Sequence, residues 1–243
     1  MSLIDTITRT MLVKPHAAGY PFIGGGLAAT ILLLLIWEPL GIFALIITLF
    51  ILYFFRDPKR AVPQKEGLII APADGRVISI TSGHALPDGL GSDLSSDVEA
   101  GDDFTKISIF LSVLDVHVNR NPIGGEVVDT FYFEGKFLNA ELDKASEENE
   151  RSAALIKTSD DKYIGVVQIA GLIARRIITD LKTGDNITAG ERFGLIRFGS
   201  RADIYLPKGV QPMVCVGQRT LGGETILADT KSKTKKAMTA TTI

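Results

Sequence analysis

Cysteine is nearly absent: the 243-residue chain has one, Cys215, inside the apolar run Met213–Val216. One thiol builds neither a disulfide framework nor a cysteine-based metal site, and such a chain suits a reducing compartment. Histidine is almost as scarce, at His16, His84 and His117, so imidazole chemistry has three addresses at most. Neither sign of charge is in excess. The formal net charge is -2, and no basic stretch interleaved with aromatics marks a nucleic-acid partner. No glycine-rich phosphate loop, no lysine motif of a pyridoxal-phosphate enzyme and no sustained heptad pattern is present.

Long apolar runs, by contrast, are there. Pro21 to Trp37 and Leu40 to Phe55 are two nearly uncharged segments split by Glu38-Pro39. Each is about 16 or 17 residues, the lower limit for crossing a ~30 Å hydrocarbon core. A cleaved signal peptide does not fit, because the pair is too long and lacks a small-residue cleavage site. Arg9 and Lys14 precede the runs, and Arg56, Lys59 and Arg60 follow them. The pattern predicts a two-helix membrane hairpin over residues 1–60, spanning or re-entrant, with Trp37 and Tyr53 near the interfaces. Its positive flanks place both termini in the cytoplasm.

Beyond Pro63 the texture is β, and the chain is expected to form a mainly β domain over residues 61–229. Strands are expected at Leu68–Ile70, Val77–Ile80, Ile107–Leu114, Glu126–Phe133, Tyr163–Ile169 and Leu172–Ile178. Residues 83–103 read as an exposed acidic loop, Lys136–Arg151 as a loop or short helix, and 230–243 as a flexible lysine-rich tail. An internal repeat stands out. Gly184-Asp185-x4-Gly190-Glu191 returns 33 residues later as Gly217-Gln218-x4-Gly223-Glu224. This hairpin pattern, with the opening Ala71-Pro72-Ala73-Asp74-Gly75-Arg76-Val77, resembles the lipoyl- and biotinyl-carrier barrel-sandwich hybrid. No lysine sits at a hairpin tip to carry such a cofactor.

Between the two repeat copies lies Arg197-Phe198-Gly199-Ser200-Arg201, followed by Ala202, Ile204 and Leu206 alternating on one face. Strand, tight turn, strand is the local reading. A serine after a glycine can attack the glycine carbonyl, which no Cβ shields. An N-to-O acyl shift would give an ester, and elimination from it would cut the chain and leave a pyruvoyl group at position 200. An ordinary Gly-Ser turn has the same local pattern.

Taken together, Phe55-Arg56-Asp57-Pro58, Ala71-Pro72-Ala73-Asp74-Gly75, Asp115-Val116-His117-Val118-Asn119-Arg120-Asn121-Pro122 and Arg197-Phe198-Gly199-Ser200-Arg201 resemble the phosphatidylserine decarboxylase proenzymes, in their short-chain bacterial branch. Asn139-Ala140-x-Leu142-Asp143-Lys144-Ala145-Ser146 and Asn149-Glu150-Arg151 add to the likeness, which covers roughly residues 20–229. The resemblance implies autocatalytic serinolysis between Gly199 and Ser200, giving a β chain that ends at 199 and an α chain that begins with pyruvoyl. It implies decarboxylation of phosphatidylserine to phosphatidylethanolamine and CO2, through a Schiff base between the pyruvoyl ketone and the headgroup amine. No metal and no pyridoxal phosphate is expected. The implied location is the cytoplasmic membrane of a bacterium, with the catalytic domain facing the cytoplasm and membrane lipids as partners; the oligomeric state is open, a homo-oligomer included.

Self-cleavage needs a base for the Ser200 hydroxyl, and His117 is the candidate, since imidazole titrates near neutral pH. Asp115 would share a face with it on a continuing strand and could orient the ring; Asp74 could do so if its turn packs there. Each has a plainer reading, a histidine satisfied at a strand end and a carboxylate bonding its own turn. In the long-chain branch a second histidine follows three positions after the first, where this chain has Arg120. Arg120, Arg175 and Arg176 are candidates to hold the substrate's phosphate or carboxylate. Two alternatives compete. A Ser-His-Asp lipid hydrolase would want a Gly-x-Ser-x-Gly elbow, and a membrane-anchored lipoyl-like adaptor would want a coiled-coil insertion.

Overall fold

The computed structural model describes residues 13–91, 103–135, 148–171, 176–197, 199–232 and 238. Outside them lie the 139–146 segment, Arg175, Phe198, much of the acidic 83–103 stretch and most of the lysine-rich tail. The chain divides into two compact units, Met1–Lys59 and Arg60–Ile243.

The first unit is helical. A 3-10 turn at Ala17–Gly19, N-capped by the His16 ring, leads into α1 (Tyr20–Ile36), and after Trp37 follows α2 (Glu38–Phe54). Proline in the first turn of each helix suits the start, where its missing N–H has no partner to lose. The pair packs inside out. The buried residues within the helices are Thr30, Gly41, Thr48 and Phe54, whereas Leu35 is 81% and Ile31 62% exposed. The two threonine hydroxyls meet across the seam at 3.2 Å, each also donating to a carbonyl one turn back. The stretch Ala17–Ile36 is long and apolar enough to cross a membrane; Glu38–Phe54 is apolar but shorter.

The second unit is mainly β. Its strands are β1 (Leu68–Ile70), β2 (Gly75–His84), β3 (Phe104–Leu111), β4 (Val118–Arg120), β5 (Gly125–Phe133), β6 (Arg151–Lys157), β7 (Tyr163–Ala170), β8 (Ile177–Thr179), β9 (Asn186–Ile187), β10 (Arg192–Ile196), β11 (Ser200–Leu206), β12 (Arg219–Thr220) and β13 (Ile226–Asp229). Eight form one curled antiparallel sheet in the order β12-β2-β3-β11-β7-β6-β5-β9; β4-β10-β8 and β1-β13 make two smaller sheets. The main core, with Ile69, Ile109, Val127, Ile156, Phe193, Ile204 and Leu227, draws on all three sheets. On β11, Ala202, Ile204 and Leu206 alternate with Arg201, Asp203 and Tyr205, and all are buried. A second cluster, including Leu90, Phe104, Val167 and Tyr205, covers the other face.

The sequence repeat has a structural counterpart. Outward from the central β11–β7 pair, the sheet reads β3-β2-β12 on one side and β6-β5-β9 on the other. Each repeat copy is a short edge strand rather than a hairpin. Arg219 lies opposite Arg76, and in the same way Asn186 lies opposite Glu126. Gly217 and Gln218 bracket Val77 with backbone hydrogen bonds of 2.8 and 2.9 Å; Gly184 and Asp185 bracket Val127 at 2.7 and 2.8 Å. Gly184, Gly190, Gly217 and Gly223 all have φ between 82° and 93°, the left-handed region that favours glycine. The halves meet reciprocally, Ile70 N–H donating to Pro122 O and Arg120 N–H to Pro72 O, both at 2.8 Å. The β unit is thus two similar halves about an approximate two-fold axis.

Four strand expectations shift, that at Leu172–Ile178 because only Ile177–Thr179 is strand and residues 172–175 lie outside those described. The strand expected to reach Leu114 stops at Leu111, because the Ser112 amide and hydroxyl turn onto the Asp115 carboxylate at 2.9 and 2.7 Å. Val77–Ile80 extends to Gly75–His84, and β6 lies where no strand was expected.

Candidate active site

Residues 112–117, between β3 and β4, form a turn, so Asp115 and His117 do not share a strand face. The turn brings the His117 ring to residue 199. The Gly199 N–H donates to His117 Nε2 at 3.3 Å, and His117 Nδ1 lies 3.0 Å from the Asp115 carbonyl oxygen. A carbonyl only accepts and an amide N–H only donates. Nδ1 therefore carries the proton, and Nε2 presents its lone pair to the Gly199 N–H, in the peptide unit just before the Gly199–Ser200 bond. His117 is wholly buried.

What orients the ring is the Asp115 backbone, not its carboxylate. That carboxylate is held by Ser112 on one side and by Arg219 Nη2, 2.7 Å from Oδ1, on the other. Asp74 stands at the same end of the sheet, just before β2. Arg60 Nη2 donates to both of its oxygens (2.8 and 2.7 Å), and the Gly222 amide donates to Oδ1 at 2.8 Å. Burial pushes the Asp74 carboxyl above its ordinary range, against the pull of Arg60, and the Asp115 carboxylate adds to the rise.

Ser200 opens β11, paired with Leu111 on one side and Ala170 on the other. Its side chain is wholly buried, and its hydroxyl oxygen makes no hydrogen bond among the described residues. Leaving a buried hydroxyl unpaired costs about 1–3 kcal/mol. Gly199, just before it, has φ +67°, which an L side chain would strain, and a Cβ there would meet Val113 at 4.0 Å. No helix follows the serine, so the strand-to-helix elbow of the serine hydrolases is not built here. Next along the strand, Arg201 and Asp203 form a fully buried pair, Nε to Oδ1 2.6 Å, with Arg201 Nη2 also donating to Ser108 Oγ at 2.6 Å.

Of the arginines expected to hold an anion, Arg120 is buried and donates to the Gly190 carbonyl at 2.9 Å. It braces the two halves where they meet. Arg176 is exposed, and its carbonyl accepts from the Arg197 amide at 3.4 Å. Burial, and then the positive charge of Arg176, lower the Arg197 guanidinium. Arg197, Arg219 and Arg60 are missed by sequence reading. Arg197 stands in the Gly-Ser stretch and Arg60 among the cationic flanks of the apolar runs, but neither position suggests a site role, and each of the three acquires its setting from a partner distant in the chain or across a strand. Asn149 and Glu150 support the strand next to Ser200, donating to Ala170 O at 2.7 Å and accepting from Ala170 N at 2.9 Å. His84 bonds Thr81 and His16 caps the 3-10 turn. Among the described residues, no three His, Cys, Asp or Glu side chains gather as a metal site.

Residues 47–228 match a family model described as phosphatidylserine decarboxylase. Three curated relatives, each named phosphatidylserine decarboxylase proenzyme, are similar over nearly the whole chain. The one from Cereibacter sphaeroides is 51% identical over 221 residues, 90% of this chain and 92% of the relative. That from Nitrobacter winogradskyi is 49% identical over 222 residues (91% and 86%), and that from Beijerinckia indica 49% over 229 residues (94% and 94%).

Proposed function

The chain belongs to the phosphatidylserine decarboxylase family, which makes it a carboxy-lyase, and from that premise we propose that it matures by cutting itself between Gly199 and Ser200 and works through the pyruvoyl group so formed. The observation that carries this reading is the neutral His117 ring, its Nε2 lone pair on the Gly199 amide beside a buried hydroxyl with no partner.

Ser200 Oγ attacks the Gly199 carbonyl carbon while its proton passes to His117 Nε2. The C–N bond breaks, the freed amine takes a proton back from the imidazolium, and an ester joins residues 199 and 200. Removal of the residue 200 α-proton expels the Gly199 carboxylate and leaves a dehydroalanine. Its imine tautomer takes up water and loses ammonia. Ser200 fits this fate: its hydroxyl has no partner among the described residues, and β11 is bonded along both edges, so a new chain end at 200 stays in the sheet.

The pyruvoyl group supplies a ketone to condense with the substrate amine and a conjugated carbonyl to accept the electron pair left when CO2 departs. Around it, Arg176 and Arg197 hold the substrate phosphate. Asp115 positions His117 through its carbonyl, and Asp74 ties the Gly222 turn to Arg60. The substrate is a diacyl lipid, and the exposed apolar faces of α1 and α2 suit a hairpin in the cytoplasmic membrane, its cationic flanks inward. The approximate two-fold of the β unit supports the likeness to a lipoyl-type barrel-sandwich hybrid.

Intact mass under denaturing conditions tests the proposal. Two polypeptides split at 199/200 are expected, the smaller blocked to Edman sequencing and about 17 Da lighter than a serine start, since an amine has become a ketone. Ser200→Ala should give one uncut, inactive chain. Wild-type enzyme that releases CO2 from phosphatidylserine while remaining a single chain would overturn the mechanism.

A further inference from the structure

Of the large apolar side chains exposed on the β unit, three stand on two segments joined by one ion pair. Leu114 is 58% exposed beside Asp115, and Val216 (57%) and Leu221 (47%) flank Arg219. Arg219 reaches Asp115 while its own side chain remains 72% exposed. Directly opposite on β2 is Arg76, also exposed and without an ion-pair or hydrogen-bond partner among the described residues. Like charges directly across a strand pair repel, so this pair is suited to an outside anion.

The approximate two-fold supplies a control within the molecule. In the other half, the positions of Val216, Arg219 and Leu221 are taken by Thr183, Asn186 and Thr188, and that of Arg76 by Glu126, all exposed. The backbone is the same and the surface is opposite. The fold therefore does not require apolar and basic residues there. The row Arg219–Arg76–Phe110–Arg201 crosses the sheet to the neighbour of Ser200, about 14 Å at about 4.8 Å per strand.

We propose that Leu114, Val216 and Leu221, with Arg76 and Arg219, form a rim on the catalytic unit that dips into the surface of a bilayer carrying anionic lipid. Apolar tips entering the acyl boundary beside cations at headgroup level are the recipe for interfacial binding. The rim would bring the bilayer surface to the Ser200 end of the sheet. The inference rests on the lipid substrate proposed above, and its test reads contact separately from chemistry.

In full-length Cys215→Ala protein, single cysteines would replace Val216 or Leu221, and in parallel their counterparts Thr183 or Thr188. Each would carry a nitrobenzoxadiazole label. The protein would be reconstituted in phosphatidylcholine vesicles, with and without phosphatidylglycerol, containing lipid with a headgroup nitroxide. Labels at 216 and 221 should be quenched, more so with phosphatidylglycerol, and those at 183 and 188 should not. Equal quenching, or none, at the paired positions overturns the rim. Val216→Ser/Leu221→Ser should lower turnover of long-chain phosphatidylserine in vesicles by about five-fold or more. It should leave self-cleavage and turnover of monomeric dihexanoyl phosphatidylserine unchanged; an unchanged vesicle rate counts against the rim. Wild-type protein that releases no CO2 from either lipid would instead remove the decarboxylase reading, leaving the quenching result to stand by itself.

Discussion

The two halves of the β unit solve the same strand pairing in two ways. In one, β6 runs into β7 through a tight hairpin, in which the Thr158 hydroxyl donates to Asp160 and accepts from the Lys162 amide, and the Lys162 ammonium holds Asp160. In the other, β3 and β11 pair equally well, yet the chain leaves β3 through the 112–117 turn and returns only at Ser200. By the approximate two-fold, Ser200 takes the place of Lys162. The hairpin end is closed by polar contacts; the open end carries a buried hydroxyl without a partner and a histidine on the preceding amide. An architecture that can be closed with the five residues 158–162 has been left open where the proposed chemistry occurs, and a cut there interrupts no strand.

The sharpest way to break this comparison is at His117. His117→Ala should slow self-cleavage by about 10²–10⁴-fold, followed as the cut fraction on denaturing gels, while Lys162→Ala leaves the rate unaltered. An undiminished rate in His117→Ala would remove it as the base. Next in size is the buried pair beside the cut. Arg201→Met strands the Asp203 charge and should cost about 3–5 kcal/mol of unfolding free energy. Arg201→Met/Asp203→Leu should recover much of that loss. Both are best measured in an uncut Ser200→Ala background.

Ser200→Ala itself tests the unpaired hydroxyl. Compared in uncut His117→Ala protein, it should raise stability by about 1–3 kcal/mol; a loss would mean that the hydroxyl has a partner. The smallest change belongs to the closed end. Thr158→Val should lose about 1 kcal/mol with cutting untouched. Burial alone would raise the Asp160 carboxyl, but Lys162 and Thr158 hold it at about 2, against an ordinary 3.8. A depressed carboxylate favours the folded chain above the unfolded value, and the benefit fades as pH falls through about 2. The acid limb of the stability curve should therefore flatten in Thr158→Val.

Much of this was legible from residues alone, and the reasons are local. The two apolar runs declare helices because nothing polar interrupts them, and β5 and β7 stand where apolar and β-branched residues cluster. The repeat is visible because its glycines must adopt positive φ in both copies. β6 went unseen because Arg151–Ser152-Ala153-Ala154 has polar ends and small residues, although tertiary packing buries it on both faces. The spacing of Asp115 and His117 suggests a shared strand face from which Asp115 could orient the ring, with Asp74 as the alternative. The Ser112–Asp115 contacts make a turn instead, and a backbone carbonyl performs the task.

By itself the sequence determined the division into apolar helices and β texture, the repeat, and the short roll of chemistry-bearing residues, since these depend on composition and on neighbours a few positions apart. Tertiary structure alone decided that His117 meets the Gly199 amide across 82 positions, that Arg60 meets Asp74 and Arg219 meets Asp115, and that one repeat copy is basic and apolar where the other is acidic and polar. Those pairings are set by strand order and register, which arise from burying one core among three sheets and leave no trace in the local spacing of residues.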